Sequence, residues 1–353
     1  MGSKSTKPNS ELSGDNARRI SGHLVDYLSS NLKINTKAIP SETDPPPQFR
    51  ASGGTAYTPG NGYKYHKFSE PNSDNFEVLE LSDSASDNKI EILIVAGGGT
   101  NSGGSYRGGC GAGGVVHGTN ITIPSTGTYP VTVGAKGPSS DPAPQNGADS
   151  GFAGHPIGTI TAKGGGGGGV HAVSDGKDGG SGGGKQNSSE NSGTGTQPAQ
   201  NPAWTPQPGF NQYGNPGGGG GTTGAYQAPG GGGAGEVGGS APGSQSSNQT
   251  GGYGGRGQPI PGFEYPLIGM SPVVGTANAN SPSNNHYGGG GMGWGYALHP
   301  DPARMKAYGG GGTNGQGASV PIGPKDGTDG LGGGGGSPGG VGGDGMVVIR
   351  YQV

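Results

Sequence analysis

The sequence predicts a mostly β protein with irregular regions. A small antiparallel, sandwich-like sheet domain carries an inserted bundle of polyglycine II helices, and a short N-terminal helical arm precedes it. Three observations predict this. Six runs of four or more glycines lie within residues 163–345, strand-like segments lie almost entirely before and after that tract, and the first 50 residues have an amphipathic pattern. The predicted domains are 1–50, then 51–163 completed by 346–353, and 164–345.

The first 50 residues are predicted to form an anchoring arm. Asp15 or Ser13 can cap a helix, and a proline-rich spacer, Pro45–Pro47, follows it. The alternative is a short helix folded back on its own sheet. The spacer separates the helix from the first strand, which favours the arm. The candidate anchoring residues fall on one helical face at spacings of three to four: Ile20, Leu24, Tyr27, Leu28 and Leu32.

The strands are predicted from alternating or continuous apolar residues. Ile90–Val95 is nearly continuous, as expected for a strand buried on both faces. The last apolar segment, Met346–Tyr351, has no strand near it in sequence, so we expect it to pair with an early strand such as Ile90–Val95. The turn residues Pro124–Gly127 predict a hairpin between their flanking strands. The other predicted strands are Tyr63–Phe68, Phe76–Leu81, Ile121–Ile123, Tyr129–Val133 and Ile157–Ala162.

The glycine tract cannot form an ordinary core, because glycine has no side chain to bury. The chain has 88 glycines and 30 prolines among 353 residues, a composition that is also typical of a disordered segment. If the tract is ordered, polyproline II is the regular conformation that suits it. Only glycine fits where several such helices lie side by side, and their free backbone groups can bond to neighbouring helices. We take this bundle as the working hypothesis.

The segments between the glycine runs are rich in aromatic, Asn and Gln residues. Such loops on a rigid scaffold are suited to recognition. The alternative, that these aromatics fold inward and cap the bundle, is equally open for any single one. The candidate receptor-contact residues are Trp204, Phe210, Tyr213, Tyr226, Phe263, Tyr265, His286, Trp294 and Tyr296.

Composition argues against several functional classes. A net charge of −3 predicts no binding of nucleic acid, and the longest apolar run, Ile92–Ala96, is too short to span a membrane. The N-terminus lacks an apolar signal-peptide region, which predicts a protein made in the cytoplasm and not exported. A glycine-rich match to a phosphate-binding loop ends at Gln186, where a Ser or Thr is needed. The histidines lack zinc-ligand spacing, and Cys110 has no catalytic partner. We expect no cofactor, metal or catalytic site and therefore no enzyme.

The order of these signals resembles a known family. EILIVAGGG (91–99) is followed by RGGCGAGGVVHG, ITIPSTGTYPVTVGAKG and TITAKGGGGGG, and the chain closes with GGVGGDGMVVIRYQV (339–353). From about residue 60 onward the chain is similar to the glycine-rich domain of bacteriophage tail fibres and related virion proteins. It also resembles distal adhesins of long tail fibres, in which stacked polyglycine II helices carry variable receptor-binding loops. Residues 1–50 do not belong to the shared pattern.

The resemblance implies a protein of the virion, made in the host cytoplasm. It would attach to other tail or capsid proteins through residues 1–50 and recognise a host surface glycan or outer-membrane protein through its loops. An alternative is a structural virion component, such as a capsid decoration or tail adaptor, that does not bind the receptor. A remote alternative is an ice-binding protein. The sequence leaves open whether the protein forms a homo-oligomer.

Overall fold

A computed structural model describes residues 47–101, 103, 106–139, 143–156, 158–170, 174–186, 191–197, 210–220, 227–241, 250–271, 284–295, 308–313 and 325–353. The chain divides into two compact units, Met1–Pro47 and Gln48–Val353. The predicted helix and its five anchoring residues lie outside the described residues. All that follows concerns the second unit.

The second unit is built on antiparallel sheets, which confirms the mostly β prediction. One sheet has the strand order β1-β4-β7-β8-β9, a second has the order β10-β6-β5-β13-β3-β2, and β11 pairs with β12. The strands are β1 Arg50–Ser52, β2 Thr55–Tyr57, β3 Tyr63–Phe68, β4 Ser73–Glu80, β5 Lys89–Val95, β6 Val115–Thr122, β7 Gly127–Thr132, β8 Ser150–Phe152, β9 Ile160–Ala162, β10 Phe210–Tyr213, β11 Gln258–Pro259, β12 His286–Tyr287 and β13 Met346–Gln352.

The five-stranded and six-stranded sheets face each other across one hydrophobic core, as in a β-sandwich. Alternate residues of each strand point into it. Phe76 and Val131 enter from the five-stranded sheet, and Ile92 and Val347 enter from the six-stranded sheet. All four are fully buried or nearly so. Burial of such side chains is the main source of the sandwich's stability.

The strand pairing confirms one prediction and overturns another. β13 pairs antiparallel with β5, with Met346 opposite Val95, as expected. The predicted hairpin across Pro124–Gly127 is wrong, because β6 pairs with β5 in the six-stranded sheet while β7 pairs with β4 in the other. The connection crosses between the sheets. A crossing connection and a hairpin both leave alternate apolar residues facing one core, so the pattern could not separate them.

The outer face of the six-stranded sheet is also apolar and is covered. Leu93 of β5 and Val348 of β13 contribute to a second buried cluster together with Phe263 and Ile268. Ile268 belongs to a short 3₁₀ helix, Tyr265–Ile268, in the covering segment. β5 is therefore buried on both faces, as its continuous apolar sequence predicted.

The glycine runs pack backbone against backbone around a central segment, residues 108–114. Its N–H groups donate in a repeat of three. Those of residues 108, 111 and 114 reach the carbonyls of 169, 166 and 163, those of 109 and 112 reach 229 and 232, and those of 110 and 113 reach 335 and 332. Three residues per turn, with every bond made to another segment, is the pattern of a polyproline II-type helix. The predicted bundle is therefore present, and we call it the glycine lattice.

The central segment has six neighbours, which gives hexagonal packing. Its carbonyls at 109 and 112 accept from residues 184 and 181, those at 111 and 114 accept from 99 and 96, and that of Cys110 accepts from Gly291. With the three acceptor segments above, this makes six surrounding segments: 96–99, 163–169, 181–184, 229–232, 288–291 and 332–335. Residues 96–99 and 108–114 lie before residue 164, so the lattice includes parts of the predicted sheet domain.

Glycine is required where neighbouring backbones approach most closely. A Cβ added at Gly113 would lie 2.0 Å from the carbonyl oxygen of Ala96, and one at Gly111 would lie 2.0 Å from that of Ser181. Such separations are far below van der Waals contact. The lattice is thus held by hydrogen bonds between backbones that only glycine allows to come so near.

Candidate functional site at the distal end of the glycine lattice

The lattice has one end at the sandwich and one end away from it, which we call the distal end. Residues 96–101 run outward directly from β5, and residues 340–345 run inward to β13. The N–H of Asn101 donates to the carbonyl of Gly340, and that of Gly108 donates to Gly169. The side-chain amide of Asn101 donates to the carbonyl of Gly108 at 2.8 Å, so these four residues lie together at the distal end.

Isolated β-bridges join segments of the chain at the distal end. Val170 pairs with Ser174 in an isolated antiparallel bridge, and Gly220 pairs with Ala241 in a parallel one. The described residues that flank six stretches of the chain lie at this end, and those stretches are 140–142, 171–173, 187–190, 221–226, 242–249 and 314–324. A rigid lattice thus holds the ends of these stretches in fixed positions relative to one another.

An aromatic pair lies among the distal residues. The rings of Tyr106 and Trp294 meet edge to face with their centroids 4.5 Å apart, and Trp294 is only 3% exposed. The backbone of Trp294 belongs to the lattice, because its N–H donates to the carbonyl of Arg107 at 3.1 Å. Burial lowers the pKa of the Arg107 guanidinium. Trp294 is one of the candidate contact residues, and its burial against the Tyr106 ring fits the alternative in which these aromatics fold inward.

Tyr106 has a strained backbone. Its φ of 61° lies in the left-handed region, which a bulky side chain seldom adopts. Such outliers cost of order 1–3 kcal/mol and concentrate at functional sites. The sequence analysis missed Tyr106, and no sequence signal marks its conformation.

Two further candidate contact residues are buried far from the distal end. Phe263 and Tyr265 are 0% and 4% exposed, and both belong to the cluster that covers the outer face of the six-stranded sheet. The Tyr265 hydroxyl donates to the carbonyl of His286, and burial raises the pKa of Tyr265. Phe263 and Tyr265 therefore follow the alternative in which the aromatics fold inward, because the apolar sheet face needs a cover.

Three other candidates lie in strands rather than in loops. Phe210 and Tyr213 are the ends of β10, an edge strand that pairs with β6, and both are half-buried. His286 is half-buried in β12. The structure therefore does not bring the predicted contact residues into one surface. Trp204, Tyr226 and Tyr296 lie outside the described residues.

The lattice edge carries an acidic sequence pattern. In DGKDG (175–179) and DGTDG (326–330) the two aspartates are three residues apart, so they lie on the same side of a threefold helix. Each accepts a backbone N–H bond from the adjacent segment, and these bonds run from Asn191 to Asp175 at 2.8 Å, Thr194 to Asp178 at 2.6 Å, Val341 to Asp326 at 2.8 Å and Asp344 to Asp329 at 3.0 Å.

These carboxylates take the place of backbone carbonyls. Asn146 and Asp149 follow the same three-residue spacing and accept from Gly167 and Gly164. The bonds from Asn191 lower the pKa of Asp175. The Asp-Gly-x-Asp-Gly pattern is therefore explained as capping of lattice N–H groups, which is a structural role.

The described residues offer no evident catalytic chemistry. They contain no cluster of three or more potential metal-ligating His, Cys, Asp or Glu side chains. Cys110 is fully buried in the central segment, and its burial raises the pKa of the thiol to about 12, so it is a poor nucleophile. Across the described ranges, no helix is both long enough and apolar enough to cross a membrane.

The fold defines a class of protein in which a small antiparallel β-sandwich continues directly into a lattice of packed glycine helices. The chain belongs to the glycine-rich domain family, whose family model matches residues 77–352, from β4 to the end of β13. Comparison with curated proteins gives no match.

Proposed function

We propose that the protein is a bacteriophage virion protein of a tail fibre or appendage. It attaches to the particle through residues 1–50 and recognises the host cell surface through the stretches that join the lattice at its distal end. The observation that carries the proposal is that the described residues on both sides of these six stretches lie at the distal end. A glycine-rich lattice fixes the ends of several stretches of the chain at one end, which is the arrangement expected of a recognition surface on a rigid scaffold.

The experiment is binding of the fluorescently labelled protein to intact bacteria, across a panel of strains. Residues 242–249 and, separately, 314–324 are replaced by Gly/Ser sequences of the same length. Both replacements leave every described lattice residue in place. The matched control replaces Pro124–Thr126, an exposed turn of the sandwich, in the same way.

We expect saturable binding to the cells, and we expect it to survive removal of residues 1–46. At least one distal replacement should reduce this binding, and the control replacement should leave it unchanged. Binding that persists in both distal variants, or that is lost with residues 1–46, contradicts recognition at the distal end.

One observation favours a second candidate, a structural virion component without receptor binding. Phe263, Tyr265 and Trp294 are turned inward, as the capping alternative expects. This candidate predicts no binding to any strain but stable association with purified tail or capsid proteins that depends on residues 1–50. A protein that binds neither cells nor particle proteins contradicts both candidates.

A further inference from the structure

The six-stranded sheet has a polar pocket on its outer face, at the end away from the lattice. The pocket has a volume of about 260 Å³ and is lined by Tyr63, Asp87, Lys89, Glu91, Asn120 and Arg350, among others. At about 30 Å³ for each water molecule, it has room for a ligand that displaces roughly eight waters.

The floor of the pocket is an ion pair fixed by its surroundings. Arg350 donates from Nε and Nη2 to Oε2 of Glu91 at 3.1 and 2.7 Å, and from Nη1 to the carbonyl of Gly262 at 2.7 Å and to the Tyr65 hydroxyl at 3.3 Å. The guanidinium also lies 4.3 Å from the centroid of the Tyr63 ring. The two charged side chains are only 11% and 23% exposed. A binding site needs side chains that their neighbours hold in a fixed position, and Arg350 and Glu91 meet this requirement.

A β-bulge forms one wall of the pocket. The register of β5 against β6 shifts between Ile90 and Ile92, so Thr119 and Asn120 both lie opposite Glu91. Asn120 has a φ of 56°, a left-handed conformation that Asn tolerates better than most residues. Bulges of this kind redirect side chains and are frequent beside functional sites.

The chemistry of the lining selects a class of ligand. The carboxylates of Asp87 and Glu91 balance the cations of Lys89 and Arg350, and Arg350 already uses four of its five N–H donors. A strongly charged ligand would therefore gain little electrostatic attraction from this lining. Oε1 of Glu91 has no hydrogen bond within the described part of the chain, and the Lys89 ammonium and Asn120 amide are exposed. Hydroxyl groups, which both donate and accept, match this mixture of acceptors and donors.

We propose that this pocket binds a neutral, polyhydroxylated ligand of monosaccharide size. Glu91 accepts from a ligand hydroxyl, Asn120 and Lys89 donate to ligand oxygens, and Arg350 holds Glu91 in position. Within the second unit the pocket and the distal end of the lattice lie on opposite sides of the sandwich, so the proposal does not depend on the proposed function.

The test is saturation-transfer NMR and calorimetry on the full chain with the methyl glycosides of glucose, galactose and N-acetylglucosamine. Inorganic phosphate and spermidine serve as anionic and cationic probes. We expect at least one glycoside to bind with a Kd on the order of 1 mM. Glu91→Gln and Asn120→Gly should each raise that Kd, by about tenfold for Glu91→Gln because the ligand hydroxyl then bonds to a neutral amide oxygen instead of a carboxylate.

Asn120→Gly keeps a residue that accepts the left-handed backbone, so the fold is expected to survive. Glu77→Gln, an exposed carboxylate on the other sheet, is the matched control and should leave the Kd unchanged. The proposal is overturned if no glycoside binds when its concentration is about ten times the expected Kd. It is also overturned if phosphate or spermidine binds in preference, or if Asn120→Gly binds like the natural protein while remaining folded.

Discussion

Replacing Gly113 with alanine tests whether the lattice is held by direct backbone packing. Gly113 is buried in the central segment, and its φ is not left-handed, so an alanine there meets steric contact without backbone strain. The new Cβ would lie 2.0 Å from the carbonyl oxygen of Ala96. Real Cβ contacts are essentially never shorter than 3.0 Å, so the two segments must separate by about 1 Å.

That separation breaks hydrogen bonds between the two segments. The N–H of Ala96 donates to Gly114 at 3.1 Å and that of Gly99 donates to Gly111 at 3.0 Å, and about 1 Å more takes both beyond bonding distance. A buried group left without a partner costs about 1–3 kcal/mol. Two such bonds give a loss of roughly 3 kcal/mol, which lowers Tm by about 5 °C for a unit of this size.

Thermal unfolding followed by circular dichroism measures the effect. The matched control is Gly219→Ala, because a Cβ at Gly219 meets nothing within 4 Å. Alanine at such a site stabilises slightly, by about 0.4–1 kcal/mol, through the unfolded chain. We therefore expect Gly113→Ala to melt well below the natural protein and Gly219→Ala to melt at or just above it. Equal melting temperatures for the two variants would refute backbone-on-backbone packing as the source of lattice stability.

Three further predictions concern single side chains. Arg350→Lys loses the forked bond to its carboxylate partner and should lower the free energy of unfolding in urea by about 2 kcal/mol, whereas Arg50→Lys, in an exposed ion pair, should change it by less than about 0.5 kcal/mol. Equal losses would contradict this. Burial raises the pKa of Asp329, but bonds from Lys136 and Asp344 outweigh it and the net pKa is lowered. Its stabilisation is full above the unfolded pKa of about 3.9 and is lost as pH falls through the lower folded pKa. The melting temperature should therefore fall less steeply from neutral to acid pH for Asp329→Asn than for the natural protein. Parallel plots of melting temperature against pH for the two proteins would rule this out. Cys110 should resist thiol reagents at pH 8 in the folded protein and react fully in guanidinium, because burial raises the pKa of its thiol to about 12; rapid labelling of the folded protein would show that the lattice opens.

Much of the sandwich could be predicted from local patterns. Alternation identified β3, and the continuous run of β5 predicted burial on both faces, which the structure confirms. The isolated position of the last strand predicted its pairing with β5. Each of these follows from period-two patterning or from topology. The cross-sheet connection after β6 could not be predicted, because both strand arrangements satisfy the same pattern.

The glycine lattice could be predicted as a conformation but not as a network. Run length and the absence of side chains pointed to polyglycine II, but the partners of the central segment range from Ala96 to Gly335. Identical glycines carry no signal of which run meets which. The Asp-Gly-x-Asp-Gly pattern was visible in the sequence. Because a polyproline II helix has three residues per turn, the pattern could have predicted that both aspartates lie on the same side of that helix.

The candidate site was the least predictable part. The sequence leaves open whether each aromatic residue between glycine runs is exposed or folded inward, although the continuous apolar sequence of β5 already implied that its outer sheet face needs a cover such as Phe263. The strained backbone of Tyr106 and the bulge at Asn120 arise from tertiary packing. Neither has a signature within a short window of sequence.

The order in which the central segment finds its neighbours has a consequence for biosynthesis. Residues 108–114 are synthesised more than 200 residues before the acceptors of Cys110 and Gly113, which are Gly335 and Gly332. Contacts so distant in sequence make folding slow. We therefore expect the lattice to close only after residues 332–335 have left the ribosome. Until then its backbone donors remain solvated and available to other chains, so assembly would be most vulnerable at high rates of expression.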